Sequence, residues 1–128
     1  MKTEESYIIG IDGGTESIRA GLFDPEGKLI LARSQSYKTY FPQSGWAEQD
    51  PDEWWGALCT ATNKLMNDSA VSADSIKGIG IDATCCTVVF LDRHKRPLRK
   101  ALLWMDVRSG QEARFIAECG HAALKYNG

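Results

Sequence analysis

The amino-acid sequence predicts an α/β domain built on a mixed sheet, and three observations carry that expectation. Three strand-like stretches follow one another near the N-terminus through tight turns. A capped helix pattern comes next. Beyond it, Ile76-Lys-Gly-Ile-Gly-Ile-Asp82 nearly repeats Tyr7-Ile-Ile-Gly-Ile-Asp12, with the helix as the crossover between them. The chain has 128 residues, which allows one globular domain at roughly 100–200 residues per domain. On folding, roughly two thirds of its unfolded surface can be hidden.

Tyr7 to Asp12 is a short run, apolar on both faces, as a buried strand requires. Gly13-Gly14-Thr15 reads as a tight turn, because successive glycines permit backbone angles closed to other residues. Ile18 to Phe23 returns as a second strand with Ile18, Ala20 and Leu22 on one face. Asp24-Pro25-Glu26-Gly27 has turn chemistry, and Lys28 to Gln35 gives a third strand alternating around Leu29 and Leu31. Ser36 to Gln49 reads as irregular. Asp50 is then a suitable N-cap, Pro51 fits the first helical position, and Glu53 stands where a capping box places its acid. Trp54, Leu58, Ala61 and Leu65 recur at helical spacing, with an end expected near Asn67-Asp68. After the strand Ile76 to Asp82, the sequence predicts a strand at Thr87 to Leu91, a basic turn at Arg93 to Arg96 and a short strand at Ala101 to Trp104. A helix follows from Arg108, with Ala113, Ile116 and Ala117 as its inner face. A meander followed by a helical crossover suggests a mixed sheet of the ribonuclease H or actin kind.

Composition excludes several classes. Lys plus Arg number 15 against 17 Asp plus Glu, a net charge of −2. A dedicated nucleic-acid or membrane-surface protein should show a basic excess, so neither partner is expected. The apolar content of 43% and the small net charge argue against disorder. Met1-Lys2-Thr3-Glu4-Glu5 and the short apolar run after it lack the shape of a signal peptide. No run approaches the ~18 apolar residues of a membrane span. Four cysteines lie at 59, 85, 86 and 119. The neighbours Cys85 and Cys86 cannot form an ordinary bridge, and no C-x-x-C spacing suggests zinc. Reduced thiols in a cytoplasmic protein are expected, with the vicinal pair structural or pocket-lining rather than redox-active.

Four stretches carry chemistry. Asp12-Gly13-Gly14-Thr15 lies between two strands. Glycines let a phosphate chain approach the backbone, a threonine hydroxyl adds a donor, and an aspartate at a strand end can hold magnesium. The same four residues also suit a plain hairpin turn, and they open no helix of the P-loop or Rossmann kind. Asp82-Ala83-Thr84-Cys85-Cys86-Thr87 follows a strand, where loops of α/β sheets converge on a crevice. Its plainer reading is a turn capped by Asp82 with the cysteines packed as small hydrophobes. Leu103-Trp104-Met105-Asp106-Val107-Arg108 joins an apolar face to charged groups, as a polyol site requires. Taken alone it reads better as a surface Asp106–Arg108 pair beside a core tryptophan. Gly45-Trp46-Ala47-Glu48-Gln49-Asp50-Pro51 is a helix start with an anchoring aromatic.

In this order, the four stretches resemble the N-terminal part of the FGGY carbohydrate kinases. The D-x-G-T-x-S-x-R-x-x-L-F-D pattern of that family is matched from Asp12 through Thr15, Ser17 and Arg19 to Leu22-Phe23-Asp24. Its G-W-x-E-Q-D-P segment is matched from Gly45 to Pro51, its G-I-G strand at Gly78 to Gly80, and its W-x-D-x-R segment at Trp104, Asp106 and Arg108. The resemblance covers nearly the whole chain. It implies ATP-dependent phosphorylation of a sugar or polyol hydroxyl by two actin-like domains closing over a cleft. It also implies that Asp12 organises Mg²⁺, that Gly13, Gly14 and Thr15 face the transferred phosphates, and that Arg19 adds positive charge near them. Asp82, Cys85, Cys86, Trp104 and Asp106 take the sugar-facing positions by the same resemblance. Glycerol kinases carry Arg-Glu where this chain has Cys85-Cys86, and xylulose kinases carry Met-His. Asp82-Ala83-Thr84-Cys85 most resembles the ribulokinase-like branch, so a pentulose such as ribulose is the expected substrate.

The catalytic aspartate of the family and its second domain lie beyond Gly128 by this reading. Residues 1–128 are expected to form an incomplete first actin-like domain, lacking a fifth core strand and a closing helix. Such a fragment is expected to be inactive alone, with the remainder of the kinase or a second copy as its partner. Three alternatives stay open: a non-catalytic binding or partner-pairing module, another polyol kinase of the same family, and another actin-like enzyme of the glucokinase or acetate-kinase type. The segments around Trp46 and Trp104 argue against the last.

Overall fold

A computed structural model describes residues 6–126. Met1–Glu5, which entered the argument against a signal peptide, and Asn127–Gly128 lie outside the described residues. Strands β1 (Tyr7–Gly13), β2 (Ser17–Phe23) and β3 (Leu29–Ser36) form the expected antiparallel meander. Gly27, at φ +80°, closes the β2–β3 turn, and Asp24 accepts the N–H groups of Glu26 and Lys28 there. Helix α1 (Pro51–Ser69) crosses over to β6 (Ile76–Ala83), which lies parallel to β1. The sheet order is therefore β3-β2-β1-β6, the mixed α/β sheet expected. The two similar runs lie side by side in register, Ile9 against Ile79, Ile11 against Ile81 and Asp12 against Asp82.

Alternation along the strands decides which face is core. Ile9, Ile11, Ile18, Ala20 and Leu22 point to one face and pack against Ala61 and Leu65 of α1. The helix covers β2 and β3 and leaves the β6 side bare, so Ile79 and Ile81 are 62% and 71% exposed. On the opposite face, Phe23 lies so close over Gly10 and Gly21 that a Cβ at either would come within 2.9 Å of its ring.

Several expectations are corrected. The segment 36–49 is not wholly irregular: β4 (Thr39–Tyr40) and β5 (Glu48–Gln49) join β7 (Ala101–Leu102) in a second, three-stranded sheet. Thr87 to Leu91 is not a strand. It makes only isolated bridges, Val88 with Leu102 and Leu91 with Pro97, because β7 has two residues and Trp104 already lies in a turn. Leu29 is exposed, since a bulge interrupts the β2–β3 pairing beside it. Helix α2 (Gly110–Glu118) forms, yet Ala113, Ile116 and Ala117 are exposed, because no described element packs against that face.

The capping box is also absent. Asp50 caps α1 by accepting the Asp52 N–H at 3.1 Å, but the Glu53 carboxylate turns outward to the Tyr40 hydroxyl at 2.6 Å and the Lys38 N–H at 3.1 Å. Those bonds, the Tyr40 bond foremost, hold its carboxyl below the usual range. The helix ends at Ser69, just past Asn67-Asp68, through Ala70 at φ 55°. A left-handed alanine costs about 1 kcal/mol relative to glycine. Ala70→Gly is therefore expected to raise Tm by about 3 °C, measurable by thermal unfolding of the 128-residue chain.

Candidate active site

The parallel strands β1 and β6 end side by side, and the turns that leave them face one cavity. Gly13, Gly14 and Thr15 come from the first turn, Asp82, Thr84 and Thr87 from the second, and Trp104 from the segment after β7. The cavity holds about 240 Å³, just under the ~300 Å³ lower end of small-molecule pockets. That size suits a compact ligand.

The two strand-end turns are tied together. Thr84 donates from its N–H and its hydroxyl to the Gly13 carbonyl, both at 3.0 Å. Gly14 donates to the Ser17 carbonyl at 3.1 Å, and the Tyr37 hydroxyl donates to the Gly14 carbonyl. Neither Gly13 nor Gly14 has a positive φ, so the reason given for this glycine pair is corrected. At Gly14 the glycine supplies space, since a Cβ there would press on the Arg19 guanidinium at 3.3 Å, whereas a Cβ at Gly13 would make ordinary contact with the Ala83 Cβ at 3.4 Å. The Gly14 N–H closes the turn and is not free for a ligand. Burial pushes the Tyr37 hydroxyl up from its usual range, the Asp12 charge adding to it and Arg19 opposing. Tyr37 therefore stays protonated and keeps its hold on the turn.

Trp104 is 55% exposed at the cavity, and its indole N–H donates to the Thr15 hydroxyl at 3.2 Å. Gln49, fully buried, works from beneath. Its amide donates to the Thr15 carbonyl at 2.5 Å and the Thr39 hydroxyl at 2.7 Å, and accepts the Trp54 indole N–H at 3.0 Å. Sequence reasoning left Tyr37, Gln49 and Thr87 out of the site. Gln49 carried a signal in its place in the Gly45–Pro51 segment and Thr87 in its place in the Asp82–Thr87 stretch, whereas Tyr37 carried none.

Asp12 and Arg19 lie on the sheet face away from α1, cross-strand partners joined at 2.6 Å. With Gly10, Gly21, Gly80 and Asp82 they line a shallow groove on that face. Asp82 borders both groove and cavity, and its carboxylate accepts the Ala83 N–H at 2.9 Å. Mg²⁺ prefers one or two carboxylates and keeps several waters. Asp12, 49% exposed with Asp82 on the neighbouring strand, offers hard oxygen ligands and room for water. These residues fit the ion. Among the described residues, no group of three or more His, Cys, Asp or Glu forms a metal cage.

Three expected sugar-facing residues are not brought to the cavity. Cys85 and Cys86 are exposed beside it, neither lining it nor packed as small hydrophobes. The Asp106 side chain is buried and that of Arg108 half-buried, so the plainer reading of the segment is reversed: the ion pair is largely shielded and the tryptophan exposed. Arg108 donates to Asp106 at 2.7 and 2.8 Å and to Glu48 at 2.8 Å, and its guanidinium stacks 3.8 Å from the Trp46 ring centroid. Asp106 also accepts the Ala47 N–H at 2.8 Å. The segment carrying Trp104 is thus clamped to the segment carrying Gln49.

A mixed β3-β2-β1-β6 sheet, with a glycine turn and two aspartates where its parallel pair ends, belongs to the class of actin-like ATPase domains. The chain belongs to the FGGY family of carbohydrate kinases: residues 7–127 match the N-terminal domain of that family. Kinases of the family use ATP, usually with Mg²⁺, and bind a sugar or polyol. A glycerol kinase of Staphylococcus haemolyticus is 37% identical over 118 residues, which is 91% of this chain and 24% of that protein. The crystal structure of a xyloylose kinase from Brucella ovis superposes with a TM-score of 0.83 at 33% identity, over 86% of this chain and 23% of the other. A gluconate kinase from Lactobacillus acidophilus, with a TM-score of 0.85 at 24% identity over 96% of this chain and 24% of the other, shares the fold. The chain spans about a quarter of the length of these relatives. Among the described residues, no helix is long and apolar enough to cross a membrane.

Proposed function

We propose that this segment is the N-terminal part of the first actin-like domain of a cytoplasmic, ATP-dependent kinase that phosphorylates a hydroxyl of a pentulose such as ribulose. One observation carries the reading: three separate stretches of chain, at 13–15, 82–87 and 103–104, meet around one small cavity at the ends of the parallel strands. The sugar takes the cavity, with its carbon skeleton against Trp104 and its hydroxyls toward Asp82, Thr84 and Thr87. The phosphates approach the strand ends from the groove, where Asp12 holds Mg²⁺ and Arg19 supplies positive charge. Bound there, the ion neutralises charge developing on the transferred phosphoryl group. Gly13, Gly14 and Thr15 stand between the two, and the Trp104 bond to Thr15 couples the sugar side to the phosphate side.

Catalysis in this reading is positioning and electrostatics, and the general base and adenosine site come from the rest of the kinase. That remainder also covers the bare β6 face with Ile79 and Ile81, and without its base and adenosine site the 128-residue chain is inactive alone. Absence of the Arg-Glu pair of glycerol kinases supports a pentulose over glycerol, although a glycerol kinase is among the relatives. The test is a substrate panel on the complete kinase. Ribulose or another pentulose is expected to give the highest kcat/KM, and faster turnover of glycerol overturns the substrate assignment.

A further inference from the structure

The turn after β6 holds two thiols that the kinase reading does not use. Cys85 and Cys86 are both exposed, and their Sγ atoms lie 3.8 Å apart. In an extended chain successive side chains point to opposite sides. Here Cys86 takes φ 61°, in the left-handed region, and the two sulfurs stay close together. The turn is anchored on both flanks. Thr84 is bonded twice to the Gly13 carbonyl, and Val88 exchanges two backbone bonds with Leu102, each at 2.9 Å. The pair is therefore presented in a fixed loop, between Thr84 and Thr87 of the cavity wall.

The separation selects the chemistry. A disulfide needs the sulfurs about 2.05 Å apart, well short of the observed spacing. An atom bonded to both at ~2.3 Å each can bridge sulfurs up to about 4.6 Å apart, and soft thiophilic centres are the ones that choose thiol ligands. The Cys86 thiol is pushed up by its hydrogen bond with Cys85 and by the neighbouring charge, which disfavours a fast thiolate nucleophile. It does not hinder a reaction in which both protons leave with an oxide.

We propose that Cys85 and Cys86 form a dithiol site for trivalent organoarsenicals at the rim of the cavity. The reaction balances without an oxidant. With an arsine oxide, two S–As bonds form while the As–O bonding and both S–H bonds break. The oxygen and the two protons leave as one water, and arsenic stays trivalent. The proposal rests on these two thiols and stands whether or not the kinase reading does.

The test is phenylarsine oxide titrated into the 128-residue chain and read by intact mass. One phenylarsenic per chain is expected, retained against a large excess of monothiol and released by 2,3-dimercaptopropanol. Cys85→Ser and Cys86→Ser should each weaken capture by at least tenfold, and a Cys59→Ser/Cys119→Ser double variant should leave it unchanged. Peptide mapping of the unsubstituted adduct should place both modified thiols between residues 83 and 93, whatever the variants' folding. No adduct, capture that survives either single substitution, or an adduct mapped to Cys59 or Cys119 overturns the proposal.

Discussion

Asp12→Ala is expected to lower the kcat of the complete kinase by roughly 10³-fold, the loss typical when one group aimed at developing charge is removed. Stability should hardly change. Asp12 is 49% exposed and its partner Arg19 59% exposed, and exposed ion pairs contribute about 0–1 kcal/mol. Two readouts separate the roles. If Asp12 only steadies the hairpin, Tm falls and turnover per folded enzyme stays near wild type. If it organises the metal, turnover collapses at an unchanged Tm. The second result would also narrow the alternatives, because a binding module without catalysis has no turnover to lose.

Asp106→Ala is expected to act oppositely, on folding first. The Asp106 side chain is 4% exposed, and removing it takes the acceptor from the Ala47 N–H and leaves the Arg108 guanidinium with Glu48 as its one remaining carboxylate among the described residues. Breaking a buried pair on one side costs about 3 kcal/mol, a Tm loss on the order of 10 °C for a domain of this size. The carboxyl also sets a pH dependence. Hydrogen bonds from the Arg108 guanidinium hold it well below the usual carboxylate range, against the opposing push of burial, with the Ala47 and Arg108 N–H groups adding to the hold. A depressed folded pKa gives stability that is complete above the unfolded value, near ~4, and is lost as pH falls below it. Thermal melts from pH 7 into the acid should therefore show wild type approaching the variant below pH ~4. Parallel curves throughout would mean that Asp106 is not held as an ion.

The strands of the first sheet were legible because each declares itself within about seven residues. Alternation around Ile18, Ala20 and Leu22, the turn at Asp24–Gly27 and the repeat at Ile76–Asp82 are local signals, and the packing followed them. Of the second sheet only β7 was legible, within the strand expected at Ala101 to Trp104, and its assembly with β4 and β5 was not. The strands of that sheet have two residues each, and Glu48 meets Leu102 across a long separation in sequence. No short-range period records such a pairing. Glu53 misled for a related reason: three positions after an N-cap aspartate a capping box is the local expectation, but the Tyr40 hydroxyl, brought in by tertiary packing, offers a stronger bond.

Residue types alone determined the α/β class and the kinase family, because strand alternation, turn chemistry and the motifs at Asp12–Thr15 and around Trp46 and Trp104 are each written in a few consecutive residues. Only the tertiary structure decided which of those residues meet. It put Asp106 and Arg108 inside a buried clamp rather than against a ligand, and it put Gln49 and Tyr37 beneath the glycine turn. It also left Cys85 and Cys86 facing solvent. The physical reason is range. Burial and charge pairing depend on what the chain brings alongside from far away in sequence, whereas turn, cap and strand signals act over a few residues.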